Sequence, residues 1–251
     1  MMIRLFELAV LFDIMIRVHK EGHDEILYFL LTCLPMTGWA QEGLIPNESG
    51  LSFFQETTNK INKIKLSQAP NKSILMFGDS ITQAMNQNNL HFSSVNLGTG
   101  GERVESIFKR IKETDIQKYD GVYISGGSNN FLHGESGVQV GEKIAEAVVF
   151  TAAKAKHVYV TGVLVPNLKL NPQVQNNFKD ANSIIKSTCK KYKNCEFINI
   201  PSEIVGKDGN NLNYTIEDGI HLNKEGYSLL KENLNKKMAD FPVNYYYKFT
   251  Y

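Results

Sequence analysis

The chain has 251 residues, 42% hydrophobic and 21% charged, with a formal net charge of +1. That balance fits one large or two small globular domains and excludes a wholly disordered chain or a multi-span membrane protein. No basic run of five or more residues occurs, and the densest stretch, Lys186 to Lys193, reads as the solvated end of a helix, so nucleic acid is not an expected partner. Three cysteines (Cys33, Cys189, Cys195) are too few for a disulfide scaffold. No Cys/His grouping has zinc spacing, so no metal is expected.

The first forty residues differ from the rest. Ile26 to Ala40 is an apolar run of signal-peptide length, too short to span a membrane, ending in small residues before Gln41. Residues 1–40 are therefore expected to be an export signal or a mis-started segment. The expected destination is secretion or the periplasm. The alternative is a cytoplasmic protein in which the segment is a buried N-terminal helix. Glu21, Asp24 and Glu25 stand where an export signal carries positive charge, which fits a start set too early and makes Met15 a candidate first residue. Loss of residues 1–40 removes three basic and five acidic residues, taking the net charge from +1 to +3. Thr32 before Cys33 makes a poor lipidation site.

Residues 41–72 read as a lead-in, 73–240 as the main domain and 241–251 (FPVNYYYKFTY) as an aromatic tail that packs back on the body. Within the domain, short β-branched runs alternate with helical stripes. Ser73–Phe77, Ser94–Leu97, Gly121–Ser125, His157–Leu164 and Glu196–Ile200 read as strands, several apolar on both faces, which is the pattern of a covered parallel sheet. The stripes are Val104, Ile107, Phe108 and Ile111; Val140, Ile144, Ala147 and Val148; Val174, Phe178, Ala181, Ile185, Cys189 and Tyr192; and Tyr227, Leu230, Leu234 and Met238. Strands alternating with helices predict an α/β fold, a three-layer α/β/α sandwich around a five-stranded, mainly parallel sheet.

In such folds ligands sit beyond the carboxyl ends of the strands. The first strand runs into Gly78-Asp79-Ser80, the second into Asn96-Leu97-Gly98-Thr99-Gly100-Gly101, and the third into Gly127-Ser128-Asn129-Asn130. Before the last helix comes Asp218-Gly219-Ile220-His221, with Asn223 placed as an N-cap. A carboxylate three residues before an imidazole can bend back onto one ring nitrogen and fix the tautomer whose other nitrogen accepts a serine proton. Asp79 adjoins that serine, but successive side chains diverge, so it is expected to play a structural role. His91 and His157 read as surface or strand-start residues, and His133 as a surface residue that could line the pocket.

Together these four blocks resemble the GDSL, or SGNH, hydrolases over about residues 73 to 238. The resemblance implies a flavodoxin-like sandwich and a serine esterase or lipase acting through an acyl-enzyme, with Ser80 as nucleophile, His221 as base and Asp218 as its orienting acid. It also implies an oxyanion hole from the N–H groups of Ser80 and Gly101 and the side chain of Asn129, with no cofactor. Asn130 departs from the family pattern, which has aspartate there. Two rival motifs fail: G-x-G-x-x-G needs glycine at Arg103, and G-x-S-x-G needs glycine at Thr82.

The segments around the site are polar and lack an apolar lid: Gln83–Ser93, Phe131–Gly137, and Val165–Gln175 with its two prolines. They predict a small-molecule or carbohydrate ester with a short acyl group, and no stable membrane span. Acyl transfer, lysophospholipase or thioesterase activity on the same site, or binding without turnover, are the alternatives, and oligomeric state is left open. Cys189 and Cys195 bracket a helix end and a strand start. They read as a bridge or as two separately buried thiols, the latter favoured because Cys189 lies on an apolar stripe.

Overall fold

Ile74, Leu75, Met76 and Phe77 are all buried, which requires a strand covered on both faces. In the computed structural model, which describes residues 53–174 and 179–238, this segment is β1 (Ile74–Phe77). It is joined by β2 (Ser94–Asn96), β3 (Gly121–Ile124), β4 (Val158–Thr161) and β5 (Cys195–Ile198) in the order β2-β1-β3-β4-β5. Every neighbouring pair is parallel, with Phe77 opposite Ile124 and Met76 opposite Asn96. The helices are α1 (Phe53–Ser67), α2 (Ser80–Ala84), α3 (Val104–Lys112), α4 (Ser128–Leu132), α5 (Gly137–Ala152), α6 (Lys179–Cys189) and α7 (Lys224–Lys237). A two-stranded antiparallel hairpin, β6 (Val205–Gly206) with β7 (Gly209–Asn210), stands apart from the main sheet.

Alternate residues of β1 feed two cores. Leu75 and Phe77 join Ile107 and Ile111 of α3, Val140, Ile144 and Val148 of α5 and Ala181 and Ile185 of α6. Ile74 and Met76 join Ile81 of α2, Leu230 and Leu234 of α7, and Met238 just beyond it. The sheet is thus the middle of three layers, as the alternating pattern predicts. Because β2 lies on one side of β1 and β3 on the other, the connections leaving the carboxyl ends of β1 and β3 run to opposite sides and open a crevice between them.

Three features differ from the sequence reading. The lead-in forms a helix, α1, whose buried side is polar: Gln55, Thr58 and Asn62 face inward while Phe53 and Ile64 are 79% and 60% exposed. The third stripe ends at Cys189 rather than Tyr192, and its Phe178 lies outside the described residues. Cys189 and Cys195 are not separate thiols, since their sulfurs are bonded at 2.03 Å with Cα atoms 5.3 Å apart. The correction has a local cause: α6 stops at Cys189 and the chain turns straight back into β5, delivering Cys195 to the helix end. The export-like segment and the aromatic tail lie outside the described residues, among which no helix is long and apolar enough to cross a membrane.

Candidate active site

The first strand ends by handing the chain to a very short helix. Asp79 is the N-cap of α2, its Oδ1 accepting the Ile81 N–H at 3.0 Å, so Ser80 becomes the first helical residue at the carboxyl edge of β1. Five residues cannot sustain a helix alone, and α2 is tethered from outside. The Asn96 amide donates to the carbonyls of Thr82 (2.7 Å) and Met85 (3.1 Å), and the Tyr227 hydroxyl donates to that of Ile81 (2.8 Å). Asp79 is fully buried, and burial pushes its carboxyl up to about 6 against the opposing pull of the Ile81 N–H and the His221 charge. Its Oδ2 has no hydrogen-bond partner among the described residues.

The loop before α7 brings the imidazole to this serine. His221 Nε2 lies 2.8 Å from Ser80 Oγ, and His221 Nδ1 lies 2.6 Å from Asp218 Oδ2. Asp218 Oδ1 accepts the N–H groups of Ile220 (2.8 Å) and His221 (3.0 Å), so one carboxylate both folds the D-x-x-H turn and holds the ring. Burial alone would raise the Asp218 carboxyl; the hydrogen bonds from the ring and the two N–H groups outweigh it and hold the carboxyl below the usual range. Three asparagines that the sequence reading did not single out fix this loop. The Asn167 N–H donates to the Gly219 carbonyl (2.9 Å), the Asn171 amide to that of Asp218 (3.3 Å) and the Asn210 amide to that of Ile220 (3.1 Å). No sequence spacing marks them, because they come from the distant segment after β4 and from β7.

The blocks after the second and third strands meet beside one another. Gly101 has φ +73° and Gly127 φ +111°, left-handed backbone that disfavours any side chain; at Gly127 a Cβ would also lie 2.9 Å from Val140 Cγ1. Asn129 follows on α4, and its side-chain amide donates to the Glu102 carbonyl at 2.9 Å, directly after Gly101. The buried Glu102 carboxylate is gripped by the Arg110 guanidinium at 2.6 Å, and Arg110 also donates to the carbonyls of Leu97 (2.6 Å) and Gly78 (3.3 Å). Arg110 thereby ties the loops after β1 and β2 together, a role its place on a helix face did not announce.

Asn130 serves where the family pattern has aspartate. Its Oδ1 accepts the Val104 N–H at 3.0 Å, which a carboxylate could also do. Its amide nitrogen donates to Glu105 (3.1 Å) and Glu135 (3.0 Å), both held by Lys143. His133 is exposed and its Nδ1 lies 2.7 Å from the Asn129 carbonyl, at the end of α4. His91 and His157 are exposed, the latter just before β4.

A serine, histidine and aspartate in hydrogen-bonded series beside a glycine loop and an inward asparagine is a site for acyl chemistry. Residues 76–229, more than half of the chain, match the family model described as the GDSL-like lipase/acylhydrolase family. The chain belongs to that family. This GDSL-like acylhydrolase is an ester hydrolase. It is 24% identical over 165 residues to the platelet-activating factor acetylhydrolase IB subunit alpha1 of Rattus norvegicus, covering 62% of this chain and 70% of that protein. Among solved structures, a GDSL-like lipase from Bacteroides thetaiotaomicron superposes with a TM-score of 0.58 at 18% identity, covering 72% of this chain and 97% of that one. A catalytic mutant of an acetylxylan esterase from Geobacillus stearothermophilus superposes with a TM-score of 0.52 at 16% identity, covering 68% and 95%. The likeness to these structures carries the fold, a parallel five-stranded α/β sandwich.

Proposed function

We propose that this acylhydrolase cleaves short-chain, acetyl-like carboxylic esters through an acyl-enzyme on Ser80. The observation that carries the reading is the unbroken series from Asp218 through His221 to Ser80, with contacts of 2.6 and 2.8 Å. Ser80 Oγ attacks the ester carbonyl as its proton passes to His221 Nε2, and Asp218 stabilises the imidazolium through Nδ1. The N–H groups of Ser80 and Gly101 and the Asn129 amide receive the negative charge on the former carbonyl oxygen. Collapse expels the alcohol, which takes the proton from Nε2. Water then repeats the sequence and releases the acid, restoring Ser80.

Two further facts support a small acyl group on a soluble alcohol. The His221 and Asp218 side chains are 35% and 34% exposed, so the site is open to water. The similar proteins include one named for an acetylhydrolase activity and one for acetylxylan. A fluorophosphonate probe is expected to label Ser80, and Ser80→Ala or His221→Ala to abolish both labelling and turnover. Asn129→Ala should lower kcat by roughly 10²–10³ with folding intact. A label found by mass spectrometry on another serine would overturn the assignment.

We also propose that the protein is exported, as the apolar run ending at Ala40 suggests. The Cys189–Cys195 bond supports this, because such bonds persist in oxidising compartments. N-terminal sequencing of the protein from its native host should find a start near Gln41. An intact Met1 or Met15 would refute export with cleavage.

A further inference from the structure

We infer that Gln55, on the first turn of α1 and upstream of the family-matched residues, is a positioning residue for the oxyanion hole. Its buried side-chain Nε2 donates to the Gly100 carbonyl at 3.2 Å. That carbonyl and the Gly101 N–H belong to one planar trans peptide, in which C=O and N–H point in opposite directions. Holding the oxygen therefore aims the N–H. The inference rests on the reading of Gly101 as an oxyanion donor.

The peptide needs such a clamp because it lies between two glycines, neither with a Cβ to resist rotation of the plane. A flip would turn the Gly100 oxygen toward the substrate and the Gly101 N–H away, replacing an attractive dipole with a repulsive one. Amides occupy the space the glycines leave: a Cβ on Gly100 would lie 2.9 Å from Gln83 Oε1, and one on Gly101 3.0 Å from Gln55 Nε2. Gln83 accepts the Gly100 N–H at 2.7 Å and so fixes the preceding peptide.

The other polar residues of α1 hold different parts of the loop. Asn62 donates to the carbonyls of Leu97 (3.1 Å) and Gly98 (3.2 Å) and to Thr99 Oγ1 (3.0 Å). Asn59 accepts from the Thr99 hydroxyl (2.8 Å) and donates to Glu102 Oε1 (3.0 Å). Gln55 is thus assigned to the Gly100–Gly101 peptide. Its hydrogen bond also polarises that peptide and makes the N–H a better donor.

The test uses Gln55→Met, which keeps the length of the side chain and lacks the donor, with p-nitrophenyl acetate as substrate. A trifluoromethyl ketone, whose serine adduct carries an oxyanion, is the second probe. Loss of aim in one of three donors should lower kcat about tenfold, less than outright loss of a donor. KM should stay within about twofold and inhibition by the ketone should weaken by the same factor as kcat/KM. Gln55→Glu, which retains size and polarity but presents a carboxylate to the Gly100 oxygen, gives the same readout should methionine unfold the chain. Unchanged kcat and ketone inhibition in a folded variant, or a loss confined to KM, overturns the inference. Ser80→Ala run alongside separates the two failures: an active Ser80→Ala removes the site reading itself, whereas an inactive one with normal Gln55 variants removes only the role of Gln55.

Discussion

Asp79 and Asp218 both belong to the site, and their surroundings push them in opposite directions. Burial would raise the Asp218 carboxyl, but the hydrogen bonds from His221 and two backbone N–H groups outweigh it and hold the carboxyl below the usual range, so Asp218 stays ionised beside the ring. Asp79 is shut away from water, and burial pushes its carboxyl from 3.8 to about 6. The folded state then holds a proton that the unfolded chain has released between about pH 4 and 6. Stability falls as pH rises through that window, by an amount on the order of 3 kcal/mol for a shift of this size. Asn at this position keeps an oxygen for the Ile81 N–H and carries no charge. Relative to the natural protein, the thermal midpoint of Asp79→Asn should therefore climb as pH rises from 4 to above 6 and level off beyond. Thermal unfolding at intervals across pH 4 to 8 measures this, and a difference that does not vary with pH would discard the titration of Asp79 as its cause.

Among the elements, those whose burial is apolar were readable in the sequence. β1, β3, β4 and β5 and α3, α5, α6 and α7 each carry a stripe or a run of apolar residues that water would otherwise touch. The site blocks were readable for a related reason: Ser80, Gly101, Asn129, Asp218 and His221 lie just past strands or just before a helix, so the topology determines which edge they share. α1 escaped because its buried stripe is Gln55, Thr58 and Asn62. A helix docked by hydrogen bonds to loop carbonyls has no periodic apolar signal to find.

The disulfide escaped for the opposite reason, since Cys189 satisfies an apolar stripe as well as a bond. With six residues of separation the bridge closes a small loop, worth about 2 kcal/mol by restriction of the unfolded chain. In urea unfolding, adding a reductant should lower the midpoint of the natural protein and its unfolding free energy by about that amount. The Cys189→Ala, Cys195→Ala double variant should start lower and not respond. A reductant-insensitive natural protein would place the two sulfurs outside a stabilising bond.

At the scale of the molecule, the site sits where the sheet order reverses, between the ends of β1 and β3, and two of the segments around it, 83–93 and 131–137, bury their largest apolar side chains. Met85 and Phe92, from the segment after α2, are buried in the core under α7, and Phe131 is buried in the opposite core. None of these three is left to line a groove for a long acyl chain, each CH₂ of which would need covering to contribute its ~0.8 kcal/mol. The value of kcat/KM is expected to fall from C2–C4 to C8–C12 p-nitrophenyl esters, measured below their micelle-forming concentrations. A steady rise instead would assign acyl contacts to the exposed Leu170, Leu212 and Ile216 near the Asp218 loop.

Ser80 and His221, the proposed nucleophile and base, are separated by 141 residues, and all five sheet strands lie between them or before them. A chain leaving the ribosome N-terminus first can therefore pair β1 through β5, the last ending at Ile198, before residue 221 has emerged. Until then Ser80 lacks the imidazole that the finished chain places against its hydroxyl. On the proposed mechanism, reactivity at Ser80 therefore waits for the segment that carries Asp218 and His221, and a chain ending before it would hold the serine without its base.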